Sequence, residues 1–319
     1  MCRNKNFGNI PASASMTTHD ISITENQADR VPNIAKQRID NRMVALGHSL
    51  FALGLAGIGV LSLGSGDFAY TWQPVPQWIP WRQGLAFISG FALLTTAVGM
   101  LVRKSARTAA LMMSLYQLLL LITLHFTHVL YSPSDVGRWL GLAENLVLVC
   151  GGWVLVCLVS QQAAHPDRVW RNTFWPPTLF AGACVVFGVS HFVYAEATAG
   201  MVPAWLPYRI GFAYLTGAGH LAAGIAILFT IIPGIAATLE ACMISAFVVL
   251  LHIPGVFHEP GSRLQWTMIC QASALAGAAW LIAGSLARGK TAIGISPHAP
   301  VSGYVRAERD IPVILGEPK

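Results

Sequence analysis

"VPAWLPYRIGFAYLTG", residues 202–217, and "VPQWIPWRQGLAFISG", residues 75–90, are one pattern written twice. Pro76 and Pro203 lie 127 residues apart, and at that step Trp78 meets Trp205, Pro80 meets Pro207, Arg82 meets Arg209, Gly84 meets Gly211 and Gly90 meets Gly217. The register then holds without a gap: His125 meets His252, Val129 meets Val256, Pro133 meets Pro260, Trp139 meets Trp266 and Trp153 meets Trp280. Upstream, "GDFAY" at 66–70 faces "SHFVY" at 190–194 at a step of 124, because the second loop carries three extra residues. Tryptophan, proline and histidine kept in one register over this distance read as an internal duplication.

Composition says what is duplicated. The 319 residues are 54% hydrophobic and 11% charged with a mean hydropathy of +0.56, whereas soluble domains carry about a quarter charged residues. Stretches long enough to cross roughly 30 Å of hydrocarbon lie near 43–63, 83–102, 108–131, 139–160, 175–195, 210–231, 235–256 and 264–286. The fold class is therefore an all-α integral membrane protein of two repeated four-helix transmembrane bundles, about eight spans. The repeats occupy 43–163 and 172–287, between a disordered tail at 1–42 and a flexible tail at 288–319.

The formal charge of +6 sits in tails and short loops and forms no continuous basic face, so nucleic acid is excluded as a partner and the lipid bilayer takes its place. Lys36, Arg38 and Arg42, then Arg103, Lys104 and Arg107, then Arg168 and Arg171, then Arg288 and Lys290 flank alternate span ends. By the positive-inside rule these segments are cytoplasmic. Both termini then lie inside a cytoplasmic (inner) membrane. An even number of spans makes the repeat parallel and puts the two quoted loops on the outer face. There Trp78, Trp81, Trp205 and Tyr208 suit the headgroup level, and the prolines fix the chain as it enters a helix. One reading is an interfacial belt; the other is that Arg82 and Arg209 hold an anionic headgroup, a quinone carbonyl or a partner's carboxylate.

Residues 188–228, "GVSHFVYAEATAGMVPAWLPYRIGFAYLTGAGHLAAGIAIL", resemble the DoxX family of small four-helix membrane proteins. The likeness lies in the Gly-x-x-His-Phe end of the first span, the VP-x-W-x-P loop and the Thr-Gly-x-x-His-Leu second span. The first repeat is similar more loosely, with Asp67 where His191 stands and Phe91 to Leu94 where the "GHL" segment stands. The resemblance implies a membrane subunit or scaffold of a redox complex, quinone-linked or tied to oxidative stress, with a soluble redox partner protein. It carries no catalytic residues over.

Polar and ionisable groups inside spans are costly and mark candidate sites. These are His125, His128, Glu144, His191, His220, Glu240 and His252. His125 and His252 occupy one repeat position, and across a pseudo-two-fold axis two imidazoles could ligate a b-type haem or a metal, or bond the carbonyls of a quinone. Each could equally satisfy a carbonyl in its own bundle. His125 and His128 have a metal-compatible spacing, but Gly255 stands at the second repeat's counterpart of His128. Asp67 and His191 are expected to meet the arginines of the motif loops, Asp67 with Arg82 in particular. Glu144, matched by Gln271, could relay a proton or bond across helices. Gly54, Gly57, Gly59, Gly217, Gly224, Gly277 and Gly284 let backbones approach.

The six cysteines include no CxxC pair, which argues against a dithiol relay. No P-loop, Ser-His-Asp set or paired catalytic carboxylates can be placed in aqueous segments. The expected site is quinone bound near the outer leaflet between Arg209, Tyr208, Trp205 and His252, or their first-repeat equivalents. The alternatives are a lipid- or partner-binding protein without redox chemistry, and a small-molecule transporter.

Overall fold

A computed structural model describes residues 18–161 and 175–292, with side-chain environments over 38–160 and 175–287. The expected loose ends at 1–17 and 293–319, and the linker with Arg168 and Arg171, lie outside the described residues. Every regular element described is helical: α1 (Thr18–Ser65), α2 (Arg82–Leu101), α3 (Ala106–Leu120), α4 (Phe126–Tyr131), α5 (Val136–Gln161), α6 (Trp175–Val193), α7 (Ala195–Met201), α8 (Arg209–Leu228), α9 (Pro233–Phe247), α10 (Ile253–His258) and α11 (Arg263–Ala292). A short 3-10 turn, Tyr70–Trp72, lies in the loop between α1 and α2. Helix α1 starts at Thr18, so residues 18–42, expected to lack structure, continue the helix of the first span. The run "AKQR" at 35–38 is made of strong helix formers that lead into the first span, and Pro32 stands upstream of it in the same helix.

Eight helical stretches are long and apolar enough to cross a membrane, among them Arg38–Ser65, Ala106–Tyr131 and Pro233–His258. The bounds of the helices recur at the step of 127 seen in the sequence. Arg82–Leu101 falls on Arg209–Leu228 and Ala106–Leu120 falls on Pro233–Phe247. A five-residue π-helical turn, Leu121–His125, follows α3, and its counterpart, Val248–His252, follows α9. Trp81 and Tyr208 both hold left-handed backbone, with φ of 58° and 52°, one residue before the arginine that opens the helix. Such bulky residues avoid this region unless the surroundings impose it. Beyond the third span of each unit the indole of Trp139 donates to the Pro133 carbonyl at 2.9 Å, and that of Trp266 to Pro260 at 2.8 Å.

The two units interlock. Within each, consecutive spans pack side by side, but α1 packs most extensively on α11, and α5 packs on α6. The eight spans thus close a ring, with α5 and α11 touching across its middle. These two are the most buried spans. Small residues permit the α1–α11 crossing: a Cβ on Gly277 would overlap the Phe51 backbone nitrogen, and one on Gly54 would lie 2.5 Å from the Cys270 carbonyl oxygen. In a bilayer, where lipid tails compete with apolar side chains, such close approach is a main source of helix affinity.

Candidate functional site

The interiors of the two units differ. In the first, Gln73 enters from the loop between α1 and α2 and its amide donates to Ser89 Oγ at 3.0 Å and to the Tyr116 hydroxyl at 2.8 Å, while the last two oxygens lie 2.6 Å apart. Below them Leu93 and Met113 are fully packed. A void beside Gln73 and Leu93 holds about 10 Å³. At the same register the second unit has Thr216 for Ser89, Met243 for Tyr116, His220 for Leu93 and Glu240 for Met113. Here a cavity of about 490 Å³ opens.

Its walls come from α6, α7, α8, the α9 π-turn and α11, and Leu140, Glu144 and Trp72 of the first unit close one side. The lining is mainly apolar, with Phe187, Met243, Phe247, Leu251 and Leu275, and it reaches the loop at Val202, Pro203 and Leu206. Among its polar groups, Ser190 and Thr216 spend their hydroxyls on the Phe187 and Phe212 carbonyls, at 2.7 and 2.9 Å. The imidazoles are the groups aimed at chemistry. His220 Nδ1 meets Glu240 Oε1 at 2.6 Å, with side chains 3% and 0% exposed. The His191 ring lies 4.8 Å from that of His220, and Phe247 covers both at 6.1 and 5.9 Å. His252 lines the cavity at the end of its π-turn and has no hydrogen-bond partner among the described residues. A π-turn widens the helix locally and recurs at functional sites.

The loop between α1 and α2 holds the shared wall in place. Asp67 pairs with Arg82 as expected, and it also receives Arg263 of α11, whose Nη1 stands 3.7 Å from Asp67 Oδ2. Arg263 Nη2 donates to the Asp67 and Phe68 carbonyls at 3.0 and 2.6 Å, and the two guanidiniums lie over Tyr70 and Phe68. Partial burial would raise the Asp67 carboxyl. The Phe68 N–H and the two arginines outweigh it and hold the group below its ordinary value. So anchored, the loop delivers Trp72, whose indole donates to Glu144 Oε2 at 2.6 Å.

The expected site residues are therefore dispersed. His191, His252 and Glu144 line the cavity. His125 does not: its Nε2 donates to the Trp72 carbonyl at 3.2 Å, and the ring is buried behind that residue. His125 and His252 thus serve different places, His252 on the cavity wall and His125 behind Trp72. Trp205 and Tyr208 are exposed on the loop before α8, with Arg209 exposed at the start of that helix, and none of the three lines the cavity, so their expected grouping with His252 is not formed. Arg82 is spent on Asp67. His191 does not meet the loop arginine as its repeat partner Asp67 does, because its Nδ1 donates to the Phe187 carbonyl at 2.9 Å and turns the ring inward. Glu144 bonds across to the loop. No group of three or more His, Cys, Asp or Glu side chains able to hold a metal ion occurs among the described residues.

Sequence reading had no hold on Trp72 or Arg263, which lie where the repeat register breaks or the counterpart is plain: Arg263 answers to Val136. The exchange of Leu93 and Met113 for His220 and Glu240 was visible in the register and is the signal that marks the second unit. Comparison of the chain with family models, with curated proteins and with solved structures finds no match.

Proposed function

We propose that this protein is a DoxX-like subunit or scaffold of a redox complex in the cytoplasmic membrane, binding a quinone-type lipophile inside its second unit. The observation that carries this reading is the cavity of about 490 Å³, apolar through most of its wall and polar at His191, His220 and His252. It has the size and character of a small-molecule site. A quinone ring with the start of its tail fits such a volume, and imidazoles are suited to its oxygens. In this reading the chain binds and orients the ring, excludes water and holds protons at its histidines, while the electrons come from a soluble partner at one membrane face. The exposed Arg103, Lys104 and Arg107 between α2 and α3 favour an orientation with both termini cytoplasmic.

The experiment is native mass spectrometry of the protein released from its own membrane in mild detergent. A bound mass matching a quinone is the expected result. Phospholipid alone, or an empty chain attached to a soluble protein, would favour the second reading, a binding scaffold without redox chemistry. The observation behind that alternative is the exposed aromatic set at the loops, with Trp78 80% and Tyr208 87% exposed. Aromatic rings of this kind serve equally as membrane anchors and as docking surface.

A further inference from the structure

Each of the two neighbouring imidazoles, tilted 52° to one another, has one nitrogen committed. His191 Nδ1 donates to a backbone carbonyl at 2.9 Å, so the other nitrogen of the neutral ring is an acceptor. His220 has its Nδ1 on Glu240, and here the count of protons decides the role of Nε2. A carboxylate beside a neutral imidazole would leave a net negative charge in the bundle interior. Glu240 Oε2 is buried without a hydrogen-bond partner, with only the weakly donating Cys184 thiol close by. An orphaned carboxylate oxygen in such a place is costly, and an uncompensated charge more so.

The pair is stable there when it carries one proton more and is neutral as a whole. That proton lies between Oε1 and Nδ1, as acid and imidazole or as carboxylate and imidazolium. In both arrangements His220 Nε2 bears a hydrogen. The cavity wall therefore sets a donor, His220, beside an acceptor, His191, with ring centroids 4.8 Å apart. The first unit has nothing comparable, since Leu93 and Met113 stand where the charged pair does.

Building on the reading that the cavity takes a quinone-type lipophile, we infer that His220 and His191 together grip one neutral oxygen of the occupant and favour a hydroxyl over a carbonyl. A hydroxyl accepts from His220 and donates to His191. A carbonyl can answer His220 alone, and a carboxylate would return the net charge that the pair avoids. The site thus holds the reduced, hydroquinone form more tightly than the quinone.

The test uses the full chain in lipid nanodiscs under anaerobic conditions, with a benzoquinone bearing a ten-carbon tail, the corresponding hydroquinone and decanoate as probes. Binding is read by equilibrium dialysis. The hydroquinone should bind roughly fivefold more tightly than the quinone, and decanoate at least about tenfold more weakly than the quinone, the scale of one hydrogen bond or one buried charge. His191→Phe should abolish the preference, bringing the hydroquinone to the level of the quinone measured on the same variant, a selectivity change that a merely structural role would not produce. His220→Phe should weaken both forms, and His220→Gln, whose amide can donate from about the place of Nε2, should recover much of the loss. A wild-type protein that binds the quinone but prefers it, or prefers decanoate, overturns the assignment and leaves the functional reading standing. So does a preference that survives His191→Phe. A wild-type protein that binds neither form overturns both.

Discussion

The two units share a register and nearly all their helix bounds, yet one is filled and the other hollow. The first spends its polar side chains on itself: Gln73, Ser89 and Tyr116 satisfy one another, and Trp72 caps Glu144. The second replaces Tyr116 by Met243 and sets an ion pair, His220 with Glu240, where the first has a leucine and a methionine. Buried polar groups in a membrane interior are either closed networks or sites. The same helix bounds thus frame a closed interior in one unit and an open one in the other. The interlocked packing explains why neither is dispensable, since α5 and Trp72 of the filled unit form a wall of the hollow one.

Breaking what the units share should do the most damage. Gly277→Leu puts a side chain into the backbone of α1 at Phe51, and no rotamer relieves an overlap at Cβ. The expected outcome is loss of the folded chain, a cost above about 4 kcal/mol. It is read as the absence of a monodisperse peak on size exclusion in detergent and as rapid proteolysis. A folded, monodisperse variant would show that the ring of helices can be opened without loss, and the units would then be independent bundles.

Next in size is the shared wall. Trp72→Ala removes the largest side chain between the two interiors and leaves the Glu144 carboxyl without its donor. About 3–5 kcal/mol of stability should go. The hollow should also lose its selectivity for bound lipophile, since it would run on into the first unit. Trp72→Phe separates the parts, keeping most of the bulk without the hydrogen bond, and should cost about 1–3 kcal/mol. Thermal unfolding of both variants in one detergent checks the order; equal losses would show that the bulk of the side chain contributes nothing and the hydrogen bond accounts for the whole effect.

Met243→Tyr and Tyr116→Met exchange the residues that distinguish the interiors. The first should fill part of the cavity and reduce binding of a quinone-type probe about tenfold, with stability nearly unchanged. The second should leave Gln73 and Ser89 bonded to each other but without the Tyr116 hydroxyl, at a cost of about 1–3 kcal/mol, and leave binding alone. A binding loss in Tyr116→Met would place a ligand in the wrong unit.

How much of this was legible beforehand follows from which signals are periodic. Eight spans and the tight glycine faces are long-range patterns of residue type, and the place of Asp67 at the end of the first span, beside the loop that carries Arg82, was enough for the two to be paired in advance. The site was half legible. His191, His252 and Glu144 lie on the cavity wall, whereas Trp205, Tyr208 and Arg209, singled out by the same loop motif, face outward. Sequence gives the type of a side chain near a span end, but not whether the backbone carries it inward. The left-handed turn at Tyr208 and the π-turn at His252 decide that, and neither has a residue signature as plain as glycine or proline. His125 shows the limit of symmetry as a guide: kept in both repeats, it bonds a loop carbonyl in one and faces open space in the other.

The smallest effect expected is at the loop latch, and its sign follows from Asp67. The folded carboxyl sits below its ordinary value of 3.8, because the Phe68 N–H and the two arginines together outweigh the effect of burial. A group depressed on folding contributes stability above its unfolded value and loses that contribution as pH falls through the folded value. The latch should therefore be at full strength at pH 5 and above and weaken progressively below about pH 4. More than a third of the Asp67 side chain is exposed, 37%, so solvent screening limits the contribution to about 0.5 kcal/mol. Asp67→Asn should remove that acid-side slope, and raising salt to about 1 M should reduce it in the wild type. Thermal unfolding between pH 3 and 5 measures the difference between the two proteins. A wild-type curve parallel to that of Asp67→Asn throughout would mean that Arg263, through the Asp67 and Phe68 carbonyls, holds the loop without the carboxylate, and that the asymmetry of the units rests on backbone contacts rather than on charge.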